Sequence, residues 1–206
     1  MKLAAVIGDI VASKQVGERD KLQHLFLEVL EAANQSTSPK TDLRITRGDE
    51  FEGAYATIAA AWTATLRLRL SMRQQGHDLW TSVAWGEVTT MPDAADAGIQ
   101  DGPVWWAARS ALTELKQSSR QKTPDNRRTV FTADIQGHLL LEVATSLRDE
   151  LIAGLDESDA AITIGLIDGA TQLSIAEALG VTPGVVSRRA HRNGLLTLAG
   201  SAKIDL

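Results

Sequence analysis

The stretch Ile7-Gly8-Asp9-Ile10-Val11 decides the fold of this 206-residue chain, together with a later stretch, Arg47-Gly48-Asp49-Glu50-Phe51. In each, an Asp follows a Gly at or near the end of an apolar run that is typical of a β-strand. If the two strands are neighbours in one sheet, Asp9 and Asp49 converge. Paired carboxylates repel each other, and a divalent cation carrying a triphosphate relieves that repulsion. The sequence therefore predicts a metal and nucleotide site.

The alternative is that both Gly-Asp pairs form ordinary turns, which is what a single pair usually does. Two pairs, at the ends of the two strands predicted to be central, favour a site. A glycine lets the backbone approach a phosphate closely, the N–H groups that follow Asp9 could cradle it, and cations nearby suit the remaining charge. The predicted nucleotide-binding residues are Gly8, Ile10, Val11, Ser13, Lys14, Arg47, Gly48 and Glu50, and the predicted metal ligands are Asp9 and Asp49.

The composition excludes several classes of protein. The chain has no cysteine, which rules out disulfides, zinc fingers, iron–sulfur clusters and thiol nucleophiles. Its net charge of −5 argues against a generally basic nucleic-acid coat protein but leaves room for a local basic surface. No apolar run approaches transmembrane length, and the N-terminal run is too short for a signal peptide. We therefore expect a soluble cytoplasmic protein without a membrane partner.

Strands alternate with helices in the first part of the chain, which is expected to form a domain over residues 1–134. The predicted elements are a strand (3–11), a helix (18–34), two strands (43–46 and 51–56), a helix (57–75), a strand (79–88), a loop (89–102), a helix (103–116) and a strand (129–132). This order predicts an α+β fold with a ferredoxin-like, mostly antiparallel sheet and helices on one face. In the second helix, Arg67, Arg69 and Arg73 are spaced to reach solvent.

The remainder of the chain is predicted to be all-α, with a connector helix over residues 135–155 and a helix-turn-helix domain over residues 156–206. Gly180 supplies the positive φ of a sharp turn, and Val181 is expected to pack beneath it. The second helix turns Val185, Val186 and Ala190 inward. The outward residues predicted to bind DNA are Thr182, Ser187, Arg188, Arg189, His191 and Arg192. One such module binds weakly, so a homodimer is expected; a helical pair that serves only for interaction is the alternative.

Four motifs resemble those of nucleotidyl cyclases. Residues 5–13 resemble the first-strand metal motif of class III nucleotidyl cyclases and, more distantly, that of GGDEF diguanylate cyclases; residues 47–51 resemble the second metal-bearing hairpin of both. Residues 85–88 resemble the Gly-Glu-Val that ends a later cyclase strand, and residues 104–109 resemble the helix motif Val-Asn-x-Ala-Ala-Arg. The matches cover residues 1 to about 116 in the cyclase order. With the helix-turn-helix added, the whole chain resembles the SatD family of bacterial proteins.

The resemblance implies roles for particular residues. Asp9 and Asp49 would bind Mg2+ or Mn2+, with the Ile10 carbonyl as a possible third ligand. Arg109 falls where cyclases place an arginine that stabilises the transition state. The cyclase site lies between two subunits, so Arg109 would serve the partner chain of a homodimer.

Departures from the cyclase pattern bear on activity. The Asn of the helix motif is Trp105, the position of a base-reading lysine is Ile45, and the first Gly of the GGDEF signature is Arg47. These changes remove base- and ribose-recognising groups and leave the metal ligands. We therefore expect a DNA-binding transcriptional regulator that senses a nucleotide with Mg2+, the ligand being a nucleotide or a cyclic nucleotide. The alternatives are a nucleotidyl cyclase, or related phosphoryl-transfer enzyme, with a DNA-binding tail, and a scaffold that only dimerises.

Overall fold

The computed structural model describes residues 1–12, 19–90, 100–119, 126–133 and 135–203. The elements in chain order are β1 (Lys2–Ile10), α1 (Arg19–Thr37), β2 (Thr41–Arg47), β3 (Glu50–Tyr55), α2 (Ile58–Gln74), β4 (Leu79–Glu87), β5 (Thr89–Thr90), β6 (Gln100–Asp101), α3 (Pro103–Ser118), β7 (Thr129–Ala133), α4 (His138–Ala153), α5 (Glu157–Ile167), α6 (Gln172–Leu179), α7 (Pro183–Arg192) and α8 (Leu195–Ser201). The predicted order of strands and helices is confirmed through β7. Two features were not predicted: a short β5–β6 ladder inside the expected loop, and α8. Among the helices of the described residues, none combines the length and the apolar character that a membrane span requires.

The main sheet has five strands in the order β2-β3-β1-β4-β7. Its neighbours are antiparallel, except that β4 and β7 run parallel. Strand β1 lies at the centre, with Asp9 opposite Glu50 of β3 on one side and Trp80 of β4 on the other. The predicted, mostly antiparallel sheet is therefore confirmed, and the end of β1 lies beside the tip of the β2–β3 hairpin.

Helices cover both faces of this sheet, so the expectation of helices on one face is wrong. Ala4 and Val6 of β1 pack with residues of α1 and α2, whereas Ala5 and Ile7 pack with α3, which contributes the buried Trp105. Successive residues of a strand point to opposite faces, and an apolar residue on each face needs a cover. The near-continuous apolar run of β1 therefore required a helix on each side.

Helix α2 belongs to two cores. One side packs on the sheet, while Leu66 and Leu70 pack with residues of α4, α5, α6, α7 and α8. The end of the described chain also contacts α2: the Trp62 indole N–H donates to the Ser201 carbonyl at 2.9 Å, and the Thr63 hydroxyl donates to the Ala202 carbonyl at 2.9 Å. The C-terminal helices are therefore packed on the sheet-bearing part of the chain.

The prediction that Arg69 reaches solvent is wrong, because this side chain is only 1% exposed. Its Nε donates to Asp78 Oδ1 at 2.8 Å and its Nη1 donates to Asp149 Oδ1 at 2.5 Å. Asp149 is fully buried and also accepts from the backbone N–H groups of Arg128 and Thr129, both at 2.6 Å. A helix covered on two sides gives this guanidinium no route to water, and two carboxylates balance its charge. The network joins α2, the start of β4, the start of β7 and α4.

Candidate functional site

The structure brings Asp9 and Asp49 together. Asp9 is the second-last residue of β1 and is paired in register with Glu50. The turn between β2 and β3 consists of Gly48 and Asp49, and Gly48 takes the left-handed conformation, with φ at +65°, that the turn requires. The Asp49 carboxyl consequently lies close enough to the Asp9 carboxyl to raise the pKa of Asp9. Two acidic groups from adjacent strands thus share one corner of the sheet.

The Asp9 carboxylate is only partly balanced by its surroundings. Its side chain is 18% exposed, and Oδ2 accepts a hydrogen bond from Nζ of Lys116 on α3. Oδ1 is buried and has no hydrogen-bond partner among the described residues. Burial raises the pKa of Asp9, the contact with Lys116 lowers it, and the nearby Asp49 raises it, so the pKa ends above its usual value. A buried anionic oxygen without a donor is stabilised by an approaching cation.

The donor set fits Mg2+ or Mn2+, which prefer oxygen ligands. The described residues contain no group of three or more His, Cys, Asp or Glu side chains that could hold a metal. Asp9 and Asp49 would therefore need further oxygens from backbone, water or phosphate, a mixture that Mg2+ commonly accepts. The Ile10 side chain is buried at the end of β1, and its carbonyl remains the proposed third ligand. A metal held here would neutralise phosphate charge.

Two cations on α3 face this corner, and the sequence interpretation missed one of them. Arg109 Nη1 donates to Glu50 Oε1 of the same chain at 2.6 Å, in a pair whose arginine side chain is half exposed. Lys116, two turns later, contacts Asp9. Residues seven apart lie on one face of a helix, so the spacing from Arg109 was the available signal for Lys116. The resemblance implied that Arg109 serves a partner chain, whereas here it pairs within its own chain.

The expected phosphate cradle after Asp9 needs correction. The Val11 N–H donates to the Asp78 carbonyl at 2.9 Å, so this amide is not available to a phosphate. Gly8 is required for packing: a Cβ there would lie 2.5 Å from Cζ of Phe51 and 2.6 Å from the Trp80 carbonyl oxygen. The close packing of Phe51 and the Trp80 carbonyl against Gly8 explains this glycine, and the approach of a phosphate is not needed to explain it. The predicted residues Ser13 and Lys14 lie outside the described residues.

The hairpin contributes the remaining predicted residues. Arg47 ends β2 with an exposed side chain, and Glu50 begins β3 half-buried in its pair with Arg109. Nη2 of Arg19, at the start of α1, lies 3.7 Å from the position that a Cβ on Gly48 would occupy. Arg19 is a second cation near the tip that was not predicted. Gly48, the residue that Arg19 approaches, lies 29 residues further along the chain. A local sequence pattern does not reveal a contact over that separation.

Helices α6 and α7 form a tight pair. Gly180 has φ at +65° and ends α6, and Val186 and Ala190 are buried, all as predicted. Val181 is 40% exposed, so the expectation that it packs beneath the turn is wrong. Thr182 precedes α7 as its N-cap residue without a side-chain capping bond.

The outward face of α7 carries most of the predicted DNA-binding residues. Thr182, Arg188, His191 and Arg192 are exposed and Ser187 is half-buried. Arg189 is the exception, because it donates to Asp156 and Asp159 at the start of α5, both at 2.8 Å. Burial opposes ionisation of Asp156, but hydrogen bonds from Arg189 and the backbone hold its pKa below the usual value. Arg189 is therefore a structural cation rather than part of the free basic face.

The SatD family model matches residues 3–146, and the chain belongs to the SatD family. Among the curated proteins, a search found no match. Solved structures with a similar fold include the active GGEEF domain of a diguanylate cyclase from Vibrio cholerae, with a TM-score of 0.45 and 15% identity over 66% of this chain and 85% of that one. A bacterial light-regulated adenylyl cyclase matches with a TM-score of 0.44 and 14% identity, over 64% of this chain and 43% of its own.

Proposed function

We propose that this protein is a DNA-binding transcriptional regulator whose sheet-bearing part binds a nucleotide together with Mg2+ or Mn2+. The observation that carries the proposal is the pair of carboxylates Asp9 and Asp49, which meet at the sheet corner with one buried oxygen that has no donor among the residues that the structure describes. Such an arrangement is costly for an empty protein and is relieved by a cation. The phosphates of a nucleotide would complete the coordination of that cation. This role places the protein in the cytoplasm, with the DNA.

Several features favour binding over turnover. Arg109, the candidate for transition-state stabilisation, is engaged with Glu50 of its own chain. Trp105 packs in the core at 8% exposure, and its indole N–H is buried there instead of being presented to a ribose at the surface. Lys116 already contacts one of the two carboxylates. A cyclase or related phosphoryl-transfer activity is the competing function, and it predicts a cyclic or transferred product when the protein is incubated with ATP or GTP and Mg2+.

Contacts run without a break from the candidate site toward the C-terminal helices. Val11, two residues after Asp9, donates to the Asp78 carbonyl, and the Asp78 side chain accepts from Arg69. Arg69 also contacts Asp149 on α4. We propose that nucleotide binding shifts the balance between arrangements of these elements and thereby the placement of α7 in a homodimer.

The basic face of α7 is the proposed contact to DNA. Arg188, His191 and Arg192 are exposed there, and arginine suits both phosphates and guanine edges. Asp156 and Asp159, the acidic groups nearest to this helix among the described ion pairs, are occupied by Arg189. Arg189 offsets one of these two negative charges, and Arg188 and Arg192 together exceed the other, which leaves a small local excess of positive charge on a chain whose net charge is −5.

Ligand-dependent melting tests the nucleotide part. A ligand at one hundred times its dissociation constant stabilises the folded state by about 2.7 kcal/mol, which raises the melting temperature of a chain of this size by about 5–10 °C. Nucleotides with Mg2+ should produce this rise in wild type and in Asp42→Asn, an exposed acid on β2 that serves as the matched control. Asp9→Asn and Asp49→Asn should abolish it. A wild type that no nucleotide stabilises would refute the proposal.

DNA binding is tested separately with duplex DNA in a fluorescence anisotropy titration at two salt concentrations. Arg188→Ala and Arg192→Ala should each weaken binding and reduce its salt dependence, because each removes about one phosphate contact. Neither should change the nucleotide-dependent rise in melting temperature. Equal DNA affinity in the wild type with and without the stabilising nucleotide would refute the coupling while leaving both binding activities in place.

A further inference from the structure

Exposed apolar side chains are concentrated on one segment of the chain. Of the twelve large hydrophobic side chains that are exposed among the described residues, six lie between Ile135 and Leu151. Leu140 and Leu139 of α4 are the most exposed of these, at 76% and 70%, and Leu147 is 62% exposed. Contiguous apolar patches of this kind are uncommon on monomeric proteins and mark interaction surfaces.

The opposite side of α4 is already committed to the chain's own fold. Leu141 packs in the sheet core, Ile152 packs in the helical core, and Asp149 closes the buried network with Arg69. Arg148 is buried beside them and donates to the Trp62 carbonyl at 3.0 Å. The helix is therefore held in place from one side, and rotating it to bury the exposed leucines would break these contacts.

The residues on the exposed side of α4 follow a spacing that reads the same from either end of the helix. Leu140, Ala144, Leu147 and Leu151 are separated by four, three and four residues, which places them on one helical face. A second copy of the helix running antiparallel about a two-fold axis therefore meets this face with an identical one. Leu140 then lies opposite Leu151 of the second copy, and the small Ala144 lies opposite the larger Leu147. Self-complementarity of this kind is what a two-fold interface demands.

A cavity of about 330 Å³ lies at the N-terminal end of this face. Its lining is mostly apolar and includes Ile58, Trp62, Ile135 and Leu140. In the antiparallel arrangement, the C-terminal end of the second α4 comes beside this cavity. The face thus presents both protruding leucines and a recess for side chains of the other copy.

We propose that the exposed face of α4 is the surface on which two copies of this chain form an antiparallel, two-fold dimer. Fully burying a Leu or Val side chain contributes about 1.5–3 kcal/mol. At about 25 cal/mol per Å², this corresponds to about 60–120 Å² of apolar surface for each side chain. The five exposed Leu and Val side chains of α4, which keep 38–76% of their surface exposed, then supply about 180–360 Å², against the roughly 800 Å² that a stable interface buries on each partner. We expect the rest of the interface to come from the polar side chains beside this face and from the residues around the cavity. The dimer does not depend on the metal and nucleotide site.

Sedimentation of the full chain tests the dimer. The wild type should sediment as a dimer at micromolar concentration, and Leu147→Lys should sediment as a monomer with the circular dichroism spectrum of the folded wild type, because the substituted side chain is exposed. Leu27→Lys changes a leucine on α1 that is 51% exposed and should leave the dimer intact. A wild type that remains a monomer, including one that binds anionic lipid vesicles or a different protein, overturns the proposal. A dimeric Leu147→Lys protein overturns it as well.

Disulfide trapping tests the register, since the natural chain has no cysteine. Oxidation of a mixture of the Leu140→Cys and Leu151→Cys proteins should give the mixed disulfide dimer in excess over either like pair. Efficient disulfides within each single variant would indicate a parallel pairing and overturn the antiparallel arrangement. Leu27→Cys is the control for random collision and should give little product with either partner.

Discussion

Replacing Asp149 by Asn probes the buried network that joins α2, β4, β7 and α4. The substitution keeps the size of the side chain and removes its charge. Asp149 Oδ2 accepts from two backbone N–H groups at 2.6 Å, and Oδ1 accepts from Arg69 at 2.5 Å and from the Thr129 hydroxyl at 3.2 Å. An amide has only one oxygen. Its NH2 group must therefore face either the two N–H donors or the Arg69 guanidinium.

The cost follows from the donors that lose their acceptor. At least two donors become unsatisfied in a fully buried site, at about 1–3 kcal/mol each. Arg69 also retains only Asp78 as a counter-charge, and breaking a buried ion pair costs about 3–5 kcal/mol in total. We expect the free energy of unfolding to fall by about 3–5 kcal/mol. For a chain of this size that corresponds to a drop of about 6–20 °C in melting temperature.

Urea unfolding followed by circular dichroism measures this change. Glu150→Gln is the matched control, because it removes the charge of the next residue, which is exposed and accepts only from the Asn126 side chain among the described contacts. It should shift stability by less than about 0.5 kcal/mol. If Asp149→Asn destabilises the protein by less than 1 kcal/mol, then the network does not hold α4 to the sheet in the way described.

Three further predictions concern the site and the core. Lys116→Met removes the ammonium group that competes for Asp9, so Mn2+ affinity measured by calorimetry should rise about tenfold; an unchanged or weaker affinity would contradict the competition. Gly8→Ala forces a Cβ against Phe51 and the Trp80 carbonyl, and thermal melts should report a loss of about 3 kcal/mol, whereas a stable variant would contradict the close packing. Burial raises the pKa of Tyr55 to about 12, so the folded state holds this proton more tightly than the unfolded state. The free energy of unfolding should therefore fall by about 2 kcal/mol as pH rises from 10 to 12. Tyr55 is the single tyrosine of the chain, so phenolate absorbance follows it directly; a midpoint near 10 would refute the shift.

The sequence predicted those parts of the fold that short-range chemistry determines. The apolar run of β1, the hairpin around Gly48 and the Gly180 turn are each encoded within about ten residues, by periodicity and by glycine in a left-handed conformation. The convergence of Asp9 and Asp49 followed from the pairing of two strands that the hairpin brings together. Local pattern was sufficient wherever the deciding neighbours were close in sequence.

The charged side chains whose contacts were missed share a different cause, because each pairs with a partner far along the chain. Arg69 looks like a solvent-facing residue in its own helix, and its partner Asp149 is 80 residues away. Arg189 looks like part of a basic face, and Asp156 lies 33 residues before it. Lys116 was separated from Asp9 by 107 residues. A single sequence does not reveal which of several exposed-looking charges is captured by such a distant partner.

Anomalous diffraction from a crystal grown with Mn2+ and a stabilising nucleotide would locate the metal itself. We expect a manganese peak between the carboxylates of Asp9 and Asp49, with phosphate oxygens on its open side and Lys116 withdrawn from Asp9. The same crystals of Asp49→Asn should lack the peak. A peak located elsewhere, or none at saturating Mn2+ with Lys116 still bound to Asp9, would contradict the account.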